Sequence, residues 1–187
     1  MTQEETYIDG LVEKAQDGDI DKFSVLYDEL LNPVYRFCFF RLPSKELAED
    51  VTSEVFISVW NNLKKYNKEK GIKFTAWVFR IAKNKIIDFF RRNKDTLELK
   101  EELEMPDPLA EKSYKKIEND FLKKALQKAL ENIPKTQSEA LILKYFSQLE
   151  NKEIAEVMDK SETAIRILQS RGLKTIRTQL PELAEYL

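Results

Sequence analysis

The sequence predicts an all-α protein of two small helical domains joined by an acidic linker. Only four glycines and six prolines occur among 187 residues, too few turn residues for the many strands of a β-sandwich or β-barrel. Apolar residues make up 42% of the chain and recur mainly at helical spacing. An acidic stretch near the middle interrupts that spacing, and the chain therefore divides into two segments.

The interrupting stretch is predicted to be a linker because it combines acidic residues with Pro106 and Pro108. We place the linker at residues 95–119, the first domain at 1–94 and the second at 120–187. Each domain is long enough for a small hydrophobic core of its own.

Helical spacing predicts four helices in the first domain. They cover residues 4–16, 19–41, 44–63 and 74–92. Ser44 is expected to cap the third helix through its hydroxyl, and Pro33 is expected to kink or interrupt the second. The third and fourth helices each carry one apolar side and one polar side.

The second domain is predicted to contain a helix-turn-helix. Its helices cover residues 120–132, 136–147, 151–158 and 161–180. The last two are joined by a tight turn, Asp159-Lys160-Ser161, and Ser161 should cap the longer helix. This arrangement places a recognition helix in the DNA major groove. The charge of the longer helix agrees, since five basic residues and one acidic residue lie between Lys160 and Arg177 inclusive.

Residue types that are absent or rare exclude several classes of function. Without histidine and with one cysteine, the chain cannot form a zinc finger, a histidine-based triad or a disulfide framework. Cys38 lies in an aromatic run and is expected to be a buried apolar side chain. No motif places a metal or cofactor beside the carboxylates, so we expect no enzymatic activity, no metal and no cofactor. No signal peptide or long apolar run is seen, which predicts a cytoplasmic protein without membrane insertion.

The net charge of −2 conceals an uneven distribution of charge along the chain. Residues 1–30 contain nine acidic and two basic residues, whereas residues 64–94 contain eleven basic and two acidic residues. A concentrated basic block is typical of contact with nucleic-acid phosphates.

Aromatic side chains accompany the basic block, which favours binding of single-stranded nucleic acid, because bases stack on aromatic rings. Trp60, Phe74 and Trp77 are also explained as core residues. Tyr66, in a lysine-rich loop, is the hardest of the four to explain as core. Asn84 lies on the polar side of the fourth helix, where its amide could hydrogen-bond a base edge, and the alternative there is a solvated face.

The third helix has an acidic side that would repel nucleic acid and would suit a basic protein partner. Its four residues are Glu46, Glu49, Asp50 and Glu54. A solvated helix face is the alternative explanation.

Two sets of motifs, in order along the chain, resemble regions 2 and 4 of bacterial sigma factors of the extracytoplasmic-function (ECF) group. The residues that resemble region 2 are Leu26-Tyr27, Ala48-Glu49-Asp50-Val51-Thr52-Ser53-Glu54-Val55-Phe56, Phe74-Thr75-Ala76-Trp77-Val78-Phe79-Arg80-Ile81-Ala82-Lys83-Asn84, Asp88 and Arg91-Arg92. Those that resemble region 4 are Ile133-Pro134, Glu153-Ile154-Ala155, Ser161-Glu162-Thr163-Ala164-Ile165-Arg166 and Arg171. The resemblance covers residues 8–93 and 120–178, with no region 3 domain between them.

The resemblance implies a role for each surface. The acidic side of the third helix matches the surface that docks on the clamp helices of core RNA polymerase. The loop at residues 64–73 matches the loop that captures a base flipped from the promoter minus-ten element, and the fourth helix matches the one that melts and holds this element. The helix from Ser161 matches the one that reads the minus-thirty-five element.

The candidate site residues follow from these matches. For polymerase binding they are Glu46, Glu49, Asp50 and Glu54. For minus-ten DNA they are Lys64, Lys65, Tyr66, Trp77, Arg80, Lys83, Asn84 and Arg91. For minus-thirty-five DNA they are Ser161, Glu162, Thr163, Arg166, Ser170, Arg171 and Lys174. We expect Arg166 to reach base edges, and Arg171 and Lys174 to lie nearer phosphates.

The chain departs from the family pattern at three positions of region 4. Asp159 stands where glycine is frequent, Ile167 where a small polar residue is frequent, and Gly172 where alanine is usual. These differences bear on the promoter sequence more than on the function.

The sequence therefore predicts a sigma factor that binds core polymerase, recognises a two-part promoter and opens it without catalysis. Its expected partners are core RNA polymerase, promoter DNA and an anti-sigma factor. One alternative is a helix-turn-helix regulator that binds duplex DNA as a dimer and never engages polymerase. Another is a helical adaptor whose charges serve only solubility. A simple regulator would not need Tyr66, Trp77 and an acidic docking helix in one domain.

Overall fold

The computed structural model describes residues 3–68, 71–93 and 125–179, and within these ranges the chain is helical without a β-strand. Contacts divide the chain into two units, Met1–Leu103 and Glu104–Leu187, so the predicted all-α, two-domain fold is confirmed. The predicted linker lies outside the described residues, and the predicted domain boundaries stay predictions. No helix in the described ranges is long and apolar enough to cross a membrane.

The described residues of unit 1 form four α-helices, which we number along the chain. They are α1 (Gln3–Gln16), α2 (Ile20–Phe39), α3 (Lys45–Asn62) and α4 (Phe74–Arg92), with a short 3₁₀-helix, Leu63–Lys65, after α3. Each end falls within two residues of its predicted position. The agreement arises because apolar spacing and helix caps are local features of the sequence.

Polar side chains cap α2 and α3. Asp19 Oδ1 accepts a hydrogen bond from the backbone N–H of Lys22 at 3.2 Å. Ser44 Oγ accepts one from the backbone N–H of Leu47 at 3.3 Å, which confirms the predicted cap. Each cap satisfies a backbone donor that the first turn of a helix leaves without a partner.

Pro33 lies inside α2, and the helix continues through it, so the expected interruption does not occur. Proline removes one backbone hydrogen bond from a helix interior. Leu30 and Val34, on either side of Pro33, are 6% and 0% exposed. Their burial stabilises both halves of α2 against that loss.

The core of unit 1 lies where α2, α3 and α4 meet. Phe37 of α2 and Phe79 of α4 are fully buried and contact edge to face, with ring centroids 5.6 Å apart. Val55 of α3 is also fully buried. Helix α4 contacts both α2 and α3, so a large part of its surface is buried. The side of α4 that faces away from these two helices is available for other contacts.

Unit 2 contains the predicted helix-turn-helix. From residue 135 to residue 179 the helices are α5 (Lys135–Leu141), which continues as a π-helical turn (Ile142–Phe146), then α6 (Asn151–Met158) and α7 (Glu162–Gln179). Residues 125–131 are helical too, whereas the first part of the helix predicted at 120–132 lies outside the described residues.

The turn between α6 and α7 depends on two polar residues. Asp159 has a φ of 54°, in the left-handed region, which aspartate adopts more readily than most residues do. Ser161 Oγ accepts a hydrogen bond from the backbone N–H of Ala164 at 3.2 Å, which confirms the predicted cap. The turn thus forms without a glycine at this position.

Gly172 marks a close approach of α7 to α5. A Cβ atom at this position would lie 2.8 Å from Leu141 Cδ1 and 3.4 Å from Gln137 Cβ. The former distance is shorter than van der Waals contact allows, so an alanine here would require Leu141 to move. The packing of the two helices therefore explains the glycine.

Candidate functional site

The acidic residues predicted on α3 form one exposed side of the helix, here called the acidic face. It consists of Glu46, Glu49, Asp50 and Glu54, all exposed. Glu49 pairs with Lys45 at 3.6 Å, and Glu54 pairs with Lys85 of α4 at 3.1 Å. Asp50 forms no ion pair in the described part of the chain, so its charge is the most available to a partner.

Glu46 has a second role at the start of α3. Its own backbone N–H and the hydroxyl of Ser44 donate hydrogen bonds to its carboxylate, and they lower the pKa of Glu46 below its ordinary value. The carboxylate therefore stays charged to lower pH than a free glutamate would. Part of its charge serves the helix terminus, where a negative charge is favourable.

Two apolar side chains extend the acidic face towards the end of α3. The sequence interpretation missed Ile57 and considered Trp60 only as a base-stacking or core residue. Ile57 is 62% exposed, one turn after Glu54, and Trp60 is 42% exposed. The ring of Trp60 meets that of Phe23 edge to face, with centroids 4.7 Å apart. Residues three apart lie on the same side of a helix, so the spacing from Glu54 to Ile57 could have placed Ile57 on the acidic face. A partner of this face would therefore meet apolar as well as acidic groups.

Tyr66 belongs to the core of unit 1, which corrects its interpretation as hard to explain as core. It is 7% exposed, and its ring centroid lies 5.3 Å from that of Phe74 and 5.2 Å from that of Trp77. Its hydroxyl donates a hydrogen bond to the backbone carbonyl of Ile72 at 2.9 Å. The ring is therefore covered, because the loop folds back over it. Trp77 is half-buried.

Helix α1 holds the beginning of this loop, a contact that the sequence did not reveal. The Gln16 side-chain amide donates hydrogen bonds to the backbone carbonyls of Leu63 and Tyr66, both at 2.8 Å. Asp9 pairs with Lys68 at 2.7 Å, and the hydrogen bond from the ammonium group to Asp9 raises the pKa of Lys68. Contacts from one helix thus support the loop at three points.

The basic residues at the start of the loop point outward. Lys64 and Lys65 are both exposed. The ammonium group of Lys65 donates a hydrogen bond to the side-chain oxygen of Asn62 at 3.1 Å, at the end of α3. These lysines are accessible to phosphates.

The polar side of α4 is most accessible in the second half of the helix. Asn84 and Arg91 are exposed, whereas Arg80 and Lys83 are half-buried and interact within the chain. Ile87 lies on the same side, between Asn84 and Arg91, and is 49% exposed. The sequence interpretation missed this isoleucine because it considered only polar residues there.

The predicted DNA-reading residues of α7 lie on its solvent side. The exposed residues are Ser161, Glu162, Thr163, Arg166, Ser170, Arg171 and Lys174. Arg166 pairs with Glu162, one turn earlier, at 3.5 Å. This weak, exposed pair leaves the guanidinium group free to exchange partners.

The rotation of α7 is set by contacts on its buried side. The Gln169 side-chain amide donates a hydrogen bond to the side-chain oxygen of Asn151 in α6 at 3.0 Å. Ile165 and Ile176 are 0% and 1% exposed. Together these contacts determine which residues of α7 face the solvent.

The described ranges contain no group of three or more acidic or cysteine side chains that could hold a metal ion. Cys38 is buried, and burial raises the pKa of its thiol to about 11. A thiol in this environment is protonated at neutral pH and is a poor nucleophile. The structure therefore agrees with the small apolar role expected for Cys38.

Two protein-family models match the chain, one in each unit. The model described as sigma-70 region 2 matches residues 26–96. The model described as sigma-70, region 4 matches residues 123–176. The first match includes the acidic face, the loop and α4, and the second includes the helix-turn-helix.

Curated relatives are similar along most of the chain. The ECF RNA polymerase sigma factor BldN of Streptomyces coelicolor is 35% identical over 176 residues, which are 92% of this chain but 65% of BldN. The ECF RNA polymerase sigma factor ShbA of Streptomyces griseus is 30% identical over 186 residues, 93% of this chain and 95% of ShbA. The ECF RNA polymerase sigma factor SigW of Bacillus subtilis is 26% identical over 183 residues, which are 92% of this chain and 96% of SigW.

Two solved structures share the fold. CnrH, solved with the cytosolic domain of CnrY, has a TM-score of 0.64 at 20% identity, over 92% of this chain and 96% of that one. The sigma factor RpoE, solved with the anti-sigma factor NepR from Bartonella quintana, has a TM-score of 0.67 at 19% identity. The match covers 85% of this chain and 96% of the RpoE chain. At these identities the likeness concerns the fold.

Proposed function

The chain belongs to the ECF group of RNA polymerase sigma factors, and we propose that it binds core polymerase, directs it to two-part promoters and opens the minus-ten element. One observation carries the proposal, namely that a single chain matches both sigma-70 region 2 and sigma-70 region 4. The region 2 match contains the acidic face and the basic loop, and the region 4 match contains the basic helix α7. The chain itself would catalyse nothing. It would act in the cytoplasm, where core polymerase transcribes.

Transcription in vitro with purified core polymerase tests this function. Core polymerase with the chain should start transcripts at specific promoters, and core polymerase alone should not. A helix-turn-helix regulator would give a different result, because it would bind duplex DNA without co-eluting with polymerase or directing its initiation.

We assign polymerase docking to the acidic face together with Ile57. The charge of Asp50, which pairs with no residue in the described ranges, would attract a basic surface and guide its approach. Ile57 is 62% exposed, so a partner that covered it would remove apolar surface from water, which favours association. The combination of charge for orientation and apolar area for affinity is typical of protein interfaces.

Asp50→Lys tests the docking assignment, with Asp17→Lys as the matched control. Both substitutions reverse one exposed acidic charge, but Asp17 lies in the turn between α1 and α2. Asp50→Lys should reduce affinity for core polymerase at least tenfold in a titration, whereas Asp17→Lys should change it little. Equal losses would mean that net charge, and not the acidic face, determines binding. Glu54→Lys is less informative because it also breaks the pair with Lys85.

We assign minus-ten recognition to the loop and α4. The hydrogen bonds from Tyr66 and Gln16 fix the chain at Leu63, Tyr66 and Ile72, which lowers the entropy lost when DNA binds. Lys64 and Lys65 would bind phosphates, and Asn84 would hydrogen-bond an unpaired base. Tyr66 would contribute by supporting the loop through its packing against Phe74 and Trp77.

We also propose an anti-sigma factor as a partner. The solved structures of CnrH and RpoE are complexes, with the cytosolic domain of CnrY and with the anti-sigma factor NepR respectively. In this chain the exposed apolar residues Ile57 and Trp60 offer a surface that such a protein could cover. An anti-sigma factor bound there would compete with core polymerase in a co-elution assay.

A further inference from the structure

Ile167 is an apolar side chain on a surface whose other residues are polar or basic. It is 45% exposed, whereas the two other isoleucines of α7, Ile165 and Ile176, are buried. A single exposed isoleucine is common on protein surfaces. Ile167 differs because it lies on the helix to which we assign DNA reading, where an exposed apolar side chain would face the DNA.

The position of Ile167 follows from helix geometry. The buried residues of α7 include Ile165, Gln169, Gly172 and Ile176. At about 100° per residue, Ile167 lies about 160° around the helix from both Ile165 and Gln169, each two residues away. It is therefore opposite the buried side, at the centre of the outward surface. Arg166, about 100° from Ile165, lies nearer the edge of that surface.

Two contacts prevent α7 from turning Ile167 away. The hydrogen bond from Gln169 to Asn151 ties one point of the helix to α6. The close packing of Gly172 on Leu141 ties another point to α5. A rotation of α7 that moved Ile167 to the edge of the outward surface would break the hydrogen bond between Gln169 and Asn151. It would also move Gly172 away from Leu141.

The surroundings of Ile167 favour DNA as the occupant of this surface. Thr163, Ser170, Arg171 and Lys174 are exposed around it. Hydroxyl and basic side chains on the second helix of a helix-turn-helix suit base edges and phosphates in a major groove. A protein partner would be expected to cover several apolar side chains, and Ile167 is the only large apolar residue of α7 that is exposed among those described.

The chemistry of isoleucine limits which bases its side chain can recognise. Isoleucine has no hydrogen-bonding group, so a base edge of donors and acceptors would lose contact with water without gaining a partner. Thymine presents a 5-methyl group in the major groove, which apolar side chains contact. We propose that Ile167 is a specificity-determining residue that packs against the methyl group of one thymine in the minus-thirty-five element. This proposal deepens the function proposed above and rests on it.

The experiment uses holoenzyme assembled from core polymerase and the full chain. Minus-thirty-five duplexes are selected from a randomised library, and each thymine of a selected promoter is replaced singly by uracil, which lacks only the methyl group. Affinities are then compared for wild type, Ile167→Ser and Ile167→Val. Tyr145→Ser is the matched control, because Tyr145 is 48% exposed in unit 2 but lies outside α7.

At one position, uracil should weaken binding of wild-type holoenzyme about fourfold, the factor expected for losing one methyl contact. Ile167→Val and Tyr145→Ser should keep that factor, and Ile167→Ser should reduce it to about one. The inference is overturned if uracil affects wild type and Ile167→Ser equally. It is also overturned if Ile167→Ser weakens all duplexes alike, as a contact with polymerase would predict. If holoenzyme selected no promoter sequence at all, the proposed function itself would be wrong.

Discussion

Cys38 is a titratable group inside the core of unit 1. Burial raises the pKa of its thiol from 9.0 to about 11. Between these values the folded chain keeps a proton that the unfolded chain loses. The free energy of unfolding should therefore fall as pH rises through this window, by about 1.4 kcal/mol per pH unit, and should be unaffected by this group below it.

Cys38→Ala should remove this pH dependence. Urea unfolding at pH 8 and pH 10, followed by tryptophan fluorescence, reports on unit 1 because both tryptophans, Trp60 and Trp77, lie there. The stability difference between wild type and variant should shrink by about 1 kcal/mol at pH 10. Comparison with the variant cancels the titration of tyrosine and lysine. A constant difference would show that the folded chain does not hold the thiol proton.

Asn84 offers a test of single-strand recognition that does not disturb the core. Because the residue is exposed, Asn84→Ala should leave stability unchanged. In holoenzyme it should weaken binding to a single-stranded minus-ten oligonucleotide about tenfold, the loss expected for one base-reading amide. Asn132→Ala, an exposed asparagine in unit 2, is the control. If Asn84→Ala weakened a duplex without the minus-ten element equally, its role would be general affinity.

At the scale of elements, α1 holds the start of the loop through Gln16, whose side chain is bonded to the carbonyl of Leu63, 47 residues later. Gln16→Ala removes two hydrogen bonds to backbone carbonyls and should lower the free energy of unfolding by about 1–3 kcal/mol. Hydrogen exchange at the amide of Tyr66, which is bonded to the carbonyl of Leu63, should become faster. Lys14→Ala, an exposed change in the same helix, should alter neither quantity. Unchanged exchange in Gln16→Ala would mean that the loop is held without α1.

The contact between α5 and α7 can be tested through Gly172. Gly172→Val adds three carbon atoms where a Cβ alone would lie 2.8 Å from Leu141 Cδ1. Thermal unfolding should show a loss of about 1–3 kcal/mol from overpacking. Adding Leu141→Ala creates space, so the double variant should lose less than the sum of the two single variants. Additive losses would show that the two side chains do not meet.

At the scale of the whole molecule, the distribution of charge should weaken DNA binding by the free chain. The net charge is −2 and the sequence pI is about 5.5, so long-range repulsion opposes contact with phosphates. Docking on polymerase would cover part of the acidic face and remove some of that repulsion. The free chain should therefore bind promoter duplex more weakly than holoenzyme does, with a larger difference at low salt. Fluorescence anisotropy at two salt concentrations measures this, and equal affinities would contradict it.

Most of the fold was predictable because helices depend on neighbouring residues. Apolar spacing and the caps at Ser44 and Ser161 located the helices of both units. Pro33 shows the limit of this reasoning, since the helix continues through a residue that usually ends one. Burial of Leu30 and Val34 outweighs one missing hydrogen bond, and burial depends on contacts with other helices.

The candidate site was predictable in its charged parts and less so in its apolar parts. The acidic face is exposed as expected, because four acids at helical spacing cannot be buried together. Tyr66 was misjudged because its charged neighbours suggested exposure, while its ring packs against Phe74 and Trp77. Ile57 was missed because an isoleucine in a helix is usually a core residue, and Ile167 was noted only as a departure from the family pattern, without its exposure.

The sequence by itself determined the helices, the helix-turn-helix, the segregation of charge and the resemblance to ECF sigma factors. These features reside in the spacing, capping and identity of nearby residues. Only the tertiary structure decided that Tyr66 is covered, that Gln16 supports the loop and that Ile167 is central on α7. Such facts depend on contacts between distant residues, as between Gln16 and Tyr66, 50 positions apart, and local spacing does not specify those contacts.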